Sequence, residues 1–130
     1  SGKDYEVIVY YKDPLAKNFY MAKFFPDIYK SPTFHAIGDE FSNGNQKSWN
    51  FTDEDLKLGT TIAITHYGIS ENYFNYMSKI IAASGSSNSG PFATTPAAVR
   101  GNIVNQTNID NYALGYFSLN EVDYENYIIQ

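Results

Sequence analysis

Cysteine is absent from the sequence of 130 residues. Its absence excludes disulfide bonds, thiol catalysis and metal sites with cysteine ligands. Basic residues are few: nine lysines and arginines stand against fourteen aspartates and glutamates, which gives a net charge of −5. A nucleic-acid-binding protein presents a basic face to the phosphates, so nucleic acid is not an expected partner. The sequence also lacks any apolar run of roughly 20 residues, the length that crosses a bilayer, and therefore predicts no transmembrane segment.

Aromatic residues, in contrast, are abundant: twelve tyrosines and nine phenylalanines accompany a single tryptophan. Aromatic rings pack well on a pleated sheet, so this composition favours a protein rich in β-structure. A surplus of tyrosine also suits a binding surface, because its ring offers contact area at a small cost in conformational entropy. We expect most of these rings to lie in the core or at half-buried sheet positions.

Alternating apolar and polar residues predict seven strands, at residues 5–12, 18–25, 33–41, 46–51, 60–67, 113–119 and 124–129. Both faces of the first strand carry apolar residues, which indicates a central strand rather than an edge strand. Turns are predicted at Asp13-Pro14, at Asn43-Gly44 and at 120–123. The connections are short, as expected for antiparallel strands.

One helix is predicted at roughly 70–84, where the spacing of apolar residues changes from strand to helix. Ser70 suits its N-cap and Gly85 its end. The predicted fold is mainly β: an antiparallel sheet of about seven strands that curls into a barrel or a sandwich, with this helix covering it. The core is expected to include four residues of the helix, namely Tyr73, Tyr76, Met77 and Ile80.

Metal-binding patterns are weak. His35 and His66 are the two histidines, and they lack the local spacing of a zinc site, so structural or surface roles are favoured. The acidic run Asp53-Glu54-Asp55 lacks the interleaved ligands and the glycine of a calcium loop. A solvated, capped turn is favoured for this run.

Catalytic patterns are also weak. Glycoside hydrolysis needs two carboxylates at a set separation, and Asp39, Glu40, Glu121 and Asp123 are available on different predicted segments. None of them stands in a diagnostic motif, and no nucleophile elbow or phosphate-binding glycine loop is present. The sequence therefore predicts no catalytic residue, no metal ligand and no cofactor.

Four aromatic residues are the candidates for ligand binding: Trp49, Tyr67, Tyr112 and Tyr116. Together they could form a platform on which a sugar ring stacks. The alternative is that they are rings of the core or of its rim, which is the commoner role of such residues.

Three stretches carry a family resemblance: FTDEDLKLG at 51–59, ISENYFNYM at 69–77, and a series with GPFA at 90–93, VRGNI at 99–103 and ALGYF at 113–117. Their order, with the opening YYKDP at 10–14, resembles the C-terminal half of a family of Bacteroidetes envelope proteins known as domain of unknown function 4249. The resemblance covers nearly the whole chain.

The resemblance implies a setting rather than a chemistry. Proteins of this family look like exported lipoproteins with an N-terminal lipid-attachment cysteine and an immunoglobulin-like or similar N-terminal domain, and they often accompany TonB-dependent outer-membrane receptors. The length of 130 residues predicts a single domain, and the resemblance implies that residues 1–130 are taken from the C-terminal part of a longer exported protein. The lipid anchor, outside this segment, would hold it at the outer membrane or cell surface. Gly59 and Gly115 are expected to allow turns or close packing, and Pro91-Phe92 to hold the following segment on the core.

Three functions stay open. A non-enzymatic domain, accessory to nutrient uptake or receptor assembly, would bind an outer-membrane receptor or its own N-terminal domain through an exposed apolar patch or a cavity. A carbohydrate-binding or hydrolytic domain would take a glycan or small ligand, and a hydrolase would need two carboxylates facing across a cleft. A purely structural module would show a flat apolar patch near the N-terminus.

Overall fold

The computed structural model describes residues 4–14, 16–38, 46–85 and 99–130. In chain order the elements are β1 (Tyr5–Lys12), β2 (Phe19–Pro26), β3 (Thr33–Gly38), β4 (Gln46–Asp53), β5 (Thr61–Ile69), α1 (Glu71–Gly85) and β6 (Glu121–Ile128). The strands form two antiparallel sheets, a small one in the order β1–β4 and a large one in the order β3–β2–β5–β6. The fold is therefore mainly β and sandwich-like, as predicted, and within the described ranges the sheets do not close into a barrel.

The core lies between the two sheets and follows from the alternation of side chains along each strand. The small sheet contributes Val7, Trp49 and Phe51, and the large sheet contributes Phe24 and Ile62, both fully buried. The rings of Phe24 and Phe51 stack with their centroids 4.9 Å apart and 4° between their planes. Burial of these apolar groups supplies most of the driving force for folding.

The helix α1 packs against β3 and β2 on the opposite face of the large sheet. Phe19 precedes the core residue Tyr20 and so points to this face, where its ring centroid lies 5.0 Å from that of Phe74. At the start of the helix, the N–H of Tyr73 donates to Ser70 Oγ at 3.2 Å. The predicted helix and its N-cap are confirmed.

The helix is less deeply buried than the sequence predicts. Its four expected core residues, Tyr73, Tyr76, Met77 and Ile80, are half-buried, so the prediction that they belong to the core is wrong. The reason is the position of α1 on the outside of the sandwich, over the β3–β2 side of one sheet. A helix in such a position buries one stripe against the sheet and leaves the flanks of that stripe to solvent.

The strand β1 is an edge strand, and the prediction of a central strand is wrong. It pairs with β4 along its whole length, from Tyr5 opposite Asp53 to Lys12 opposite Gln46. No other strand of the described ranges joins the small sheet. The apolar residues on its outer face, Ile8 among them, are exposed.

Two predictions near the C-terminus are also wrong. Residues 113–119 form no strand, and residues 121–123 of the predicted turn belong to β6, which pairs with β5 from Glu121 onward. The side chain of Asn102 takes the place of a strand partner for Phe117: its Oδ1 accepts the Phe117 N–H and its Nδ2 donates to the Phe117 carbonyl, each at 2.8 Å.

Two glycines in the motifs that carry the family resemblance adopt positive φ. Gly59 has φ +88° and Gly115 has φ +128°, a region that glycine enters without steric cost. The close contact falls instead on Gly101, where an added Cβ would lie 1.6 Å from the carbonyl oxygen of Gly115. Gly59 lies in a turn and the Gly115 backbone packs closely on Gly101, so the prediction that these glycines allow turns or close packing is confirmed.

Some predictions fall outside the described residues. These are the turn at Asn43-Gly44, the end of the third predicted strand, and the segment at Pro91-Phe92. Among the residues that are described, no helix has both the length and the apolar character needed to cross a membrane.

Candidate functional site

A groove of about 740 Å³ separates β1 from β6. Three strands line it: β1 with Glu6 to Tyr11, β5 with Ile64 and His66, and β6 with Asp123, Tyr124, Glu125 and Tyr127. Pockets of about 300–1,000 Å³ hold small ligands, so the space suffices for one or for several residues of an extended chain.

The β1 wall of the groove is a strand edge. Six consecutive residues from Glu6 to Tyr11 line it, although successive side chains of a strand point to opposite faces. A groove that contacts six consecutive residues of a strand must run along the main chain of that strand. The other edge of β1 is occupied by β4. Between Glu6 and Tyr10, no strand in the described ranges pairs with the edge that faces the groove.

The β6 wall of the groove is acidic. Strand pairing sets Asp123 opposite His66 and Glu125 opposite Ile64, and directly opposite residues of antiparallel strands share a face. That face is turned toward the small sheet, because Ile64 belongs to the core between the sheets. The described residues that line the groove include no lysine or arginine.

The strand β6 is uncovered: all eight of its residues are exposed. The small sheet has two strands and the large sheet four, so the small sheet cannot cover the whole inner face of the large one. On the outer face of β6, Val122, Tyr124 and Ile128 are 52%, 61% and 53% exposed. Asn126 separates Ile128 from the other two on this face, so three of its four positions are apolar. Large exposed apolar patches mark interaction surfaces.

His66 connects the groove with the core. Trp49 Nε1–H donates to His66 Nδ1 at 3.0 Å, so the neutral ring carries its proton on Nε2. The His66 ring centroid lies 4.7 Å from that of Tyr11 and 5.1 Å from that of Tyr20. Burial lowers the pKa of His66 below its ordinary value, and the negative charge of Asp123 opposes this shift. His66 is therefore a neutral hydrogen-bonding group at pH 7.

A buried ion pair joins the end of β1 to both sheets. Asp13 is fully buried, and its Oδ2 lies 3.2 Å from Nζ of Lys47 in β4. The hydroxyl of Tyr20 in β2 donates to Asp13 Oδ1 at 2.7 Å. Sequence reasoning missed this role, because Asp13-Pro14 is typical of a turn and nothing local indicates its partners.

The structure does not bring the four aromatic candidates together. Trp49 is buried in the core between the sheets. Tyr67 lies on the other face of the large sheet, because it follows a core-facing residue of β5 and successive side chains of a strand point to opposite faces. Tyr112 places its ring under the guanidinium of Arg100, 4.1 Å from the ring centroid. Ligand binding by Trp49, Tyr67, Tyr112 and Tyr116 stays a prediction.

Tyr116 belongs to a tyrosine cluster beside α1. Its ring centroid lies 5.1 Å from the rings of both Tyr73 and Tyr76. Burial raises the pKa of Tyr73, and the neighbouring Tyr67, Tyr76 and Tyr116 act in the same direction. The three rings of Tyr73, Tyr76 and Tyr116 lie against one another and are half-buried.

His35 lies inside the sandwich. Its ring centroid is 5.7 Å from that of Phe24 and 6.5 Å from that of Trp49. Burial lowers its pKa, and its buried Nε2 has no hydrogen-bond partner among the described residues. Nowhere in the described ranges do three or more histidine, aspartate or glutamate side chains gather so as to hold a metal ion.

The acidic run 53–55 forms a tight turn. The N–H of Asp55 donates to Asp53 Oδ1 at 2.9 Å, and the hydroxyl of Tyr29 donates to the carboxylates of both residues. The hydrogen bond to Asp53 is the main reason that the pKa of Tyr29 is raised. The predicted capped turn is confirmed.

The carboxylates considered for hydrolysis do not form a facing pair among the described residues. Glu121 and Asp123 stand two positions apart on the same strand, whereas a glycosidase places its two carboxylates on opposite sides of the substrate. Asp39 and Glu40 lie outside the described residues.

A family model for a domain of unknown function, DUF4249, matches residues 2–125. The chain belongs to the DUF4249 family. The match confirms the resemblance that the three sequence stretches carry, and the family description names no activity. No curated protein matches the chain, and no solved structure matches it.

Proposed function

We propose that this DUF4249 domain is a non-enzymatic binding module of a cell-surface lipoprotein, accessory to TonB-dependent nutrient uptake or receptor assembly. The observation that carries the binding role is the groove between β1 and β6, with a strand edge on one wall and an uncovered acidic strand on the other. The cell-surface setting rests on the resemblance of the sequence motifs to exported Bacteroidetes lipoproteins. The expected partner is an outer-membrane receptor; a purely structural module would instead bind its own N-terminal domain.

The groove supports binding better than catalysis. Its acidic side chains Asp123 and Glu125 come from one wall. Glu6, on the other wall, turns toward β4, where Asn50 Nδ2 donates to its Oε1 at 2.9 Å. An acid–base pair would need to approach a substrate from two sides, whereas Asp123 and Glu125 lie on one side and the Glu6 carboxylate is hydrogen-bonded to Asn50.

Co-purification of the full-length protein with TonB-dependent receptors tests the proposal. The wild-type protein is expected in the outer-membrane fraction, with such a receptor bound. Asp123→Lys/Glu125→Lys in the groove is expected to reduce receptor recovery at least about tenfold, because like charges and lost pairs weaken an interface by several kcal/mol. Asp27→Lys/Glu54→Lys makes the same charge change at exposed residues of other loops and is expected to leave recovery unchanged. Equal recovery with both variants, or a protein absent from the outer membrane, contradicts the proposal.

Glycan binding is a second candidate, and the tyrosine cluster of Tyr73, Tyr76 and Tyr116 favours it. Aromatic rings at the surface are the usual platform for sugar rings. NMR titration with oligosaccharides tests it. Shifts confined to this cluster, and lost in Tyr116→Ala, are expected if the cluster binds sugar; their absence contradicts this candidate.

A further inference from the structure

The two sheets of the sandwich are unequal. The large sheet ends in β6, and the small sheet ends in β1, so the inner face of β6 has no described strand above it. Sheets in a sandwich pack about 10 Å apart, and neighbouring strands in a sheet lie about 4.8 Å apart. One further strand beside β1 would therefore lie above β6 and fill the groove that separates them. The groove lies where a third strand of the small sheet would stand.

The β1 wall offers that strand its main-chain partners. Main-chain N–H and C=O groups between Glu6 and Tyr10 face the groove. Natural proteins protect exposed strand edges with lysine, proline or a bulge. The groove-lining residues of β1, Glu6 to Tyr11, include no lysine and no proline. Between Glu6 and Tyr10, no strand of the described ranges occupies this edge, so it can pair there with an added strand.

The acidic residues on the β6 wall determine which charge an added strand should carry. A strand added to β1 would direct alternate side chains down onto the inner face of β6, which carries Asp123, Glu125 and Tyr127. Each strand advances about 6.6 Å over two residues, so alternate side chains of the added strand match the spacing of Asp123 and Glu125. Basic residues at two alternate positions would meet the carboxylates, and an apolar residue at the next alternate position would meet Tyr127.

We infer that the groove receives one extended segment of a partner polypeptide, which pairs with β1 as the third strand of the small sheet and places basic side chains on Asp123 and Glu125. This inference rests on the proposed function and names the chemistry of its partner. It also accounts for the exposure of β6, because the partner segment would cover its inner face.

Calorimetry with a synthetic peptide tests the inference. The probe is the nine-residue peptide Thr-Lys-Thr-Lys-Thr-Val-Thr-Thr-Thr. Its two lysines and its valine stand at alternate positions. It is expected to bind with one-to-one stoichiometry. Fluorescence of the single tryptophan provides a second readout, since Trp49 donates a hydrogen bond to His66, which lines the groove. A peptide with glutamate in place of lysine is expected to bind at least about tenfold more weakly, as like charges meet.

Two controls separate strand pairing from charge attraction. A peptide N-methylated at alternate residues keeps the lysines but cannot pair along one edge, and it is expected to lose binding. In the protein, Asp123→Asn/Glu125→Gln is expected to weaken binding about tenfold, whereas Asp27→Asn/Glu54→Gln, with the same change of net charge, is expected to leave it unchanged. Equal binding of the methylated peptide, or equal losses in the two double variants, overturns the inference.

Other occupants give different results. If the chain dimerises and the peptide competes with dimerisation, a second copy occupies the groove, and the inference of a separate partner is wrong. If this chain binds the peptide but the full-length protein does not, the protein's own preceding segment occupies the groove, which also overturns it. Failure of all peptides to bind, with receptor co-purification intact, overturns the strand inference and leaves the proposed function standing.

Discussion

At the scale of single residues, Asp13 and Lys47 form a buried ion pair at the end of the small sheet. Asp13 is fully buried, the side chain of Lys47 is 12% exposed, and their charged atoms lie 3.2 Å apart. Removing a charge from water costs several kcal/mol, and the attraction of a close partner offsets that cost. The Tyr20 hydroxyl connects this pair to β2. Each of the two charges therefore depends on the other.

A double-mutant cycle measures this dependence. We expect Asp13→Asn to lower the free energy of unfolding by about 3 kcal/mol, because the charge of Lys47 would lose the buried carboxylate 3.2 Å away. Lys47→Met should also destabilise the protein. The double variant should lose less than the sum of the two, by about 1–3 kcal/mol. Urea denaturation of the four proteins gives these values, and strictly additive losses would mean that the two residues are not coupled.

The histidines give the fold a pH dependence. Burial lowers the pKa of His35 and of His66 below the ordinary value of 6.5. Below that pH the unfolded chain binds more protons than the folded one, so the free energy of unfolding falls as the pH decreases through about 6.5. Stability from this source is fully present above that pH.

Chemical denaturation between about pH 7.5 and pH 5.5, the range in which histidine titrates, tests this dependence. His35→Gln/His66→Gln is expected to flatten the loss of stability, and each single variant is expected to remove part of it. A double variant that loses stability as steeply as the wild type would show that other groups cause the slope.

At the scale of elements, α1 and β6 differ in how far the local sequence determines them. The N-cap at Ser70 and the apolar spacing of α1 are local, and the sequence predicts both. The start of β6 at Glu121 depends on pairing with β5, so residues 120–123, which are typical of a turn, are largely strand. Residues 113–119 alternate like a strand but have no strand partner in the described ranges. Propensity cannot decide such segments, because the neighbouring strand does.

The cap of α1 gives a prediction at this scale. We expect Ser70→Ala to lower the free energy of unfolding by about 1 kcal/mol, because the N–H of Tyr73 loses its acceptor. Ser70→Asp keeps an acceptor and adds a negative charge at the positive end of the helix dipole, so it should retain wild-type stability. Thermal denaturation of the three proteins checks this. Equal losses for both variants would argue against a capping role.

At the scale of the whole molecule, the groove arises from topology. Its residues come from β1, β5 and β6, which the sequence separates and the two sheets bring together. The sequence predicts the strands and one helix but not which strands share an edge, and so it identifies neither the open edge of β1 nor the acidic face of β6. The sequence indicates aromatic residues as candidates because it contains many of them. The groove, in contrast, exists because the two sheets have unequal numbers of strands.

The central claim is that the groove accepts a strand along β1, and amide hydrogen exchange measured by NMR tests it most directly. In an antiparallel pair, alternate residues direct their N–H groups to opposite edges. With the lysine peptide bound, we predict new protection at every second amide between Glu6 and Tyr10, while the amides bonded to β4 are protected with and without peptide. Binding without this alternating protection would contradict the claim.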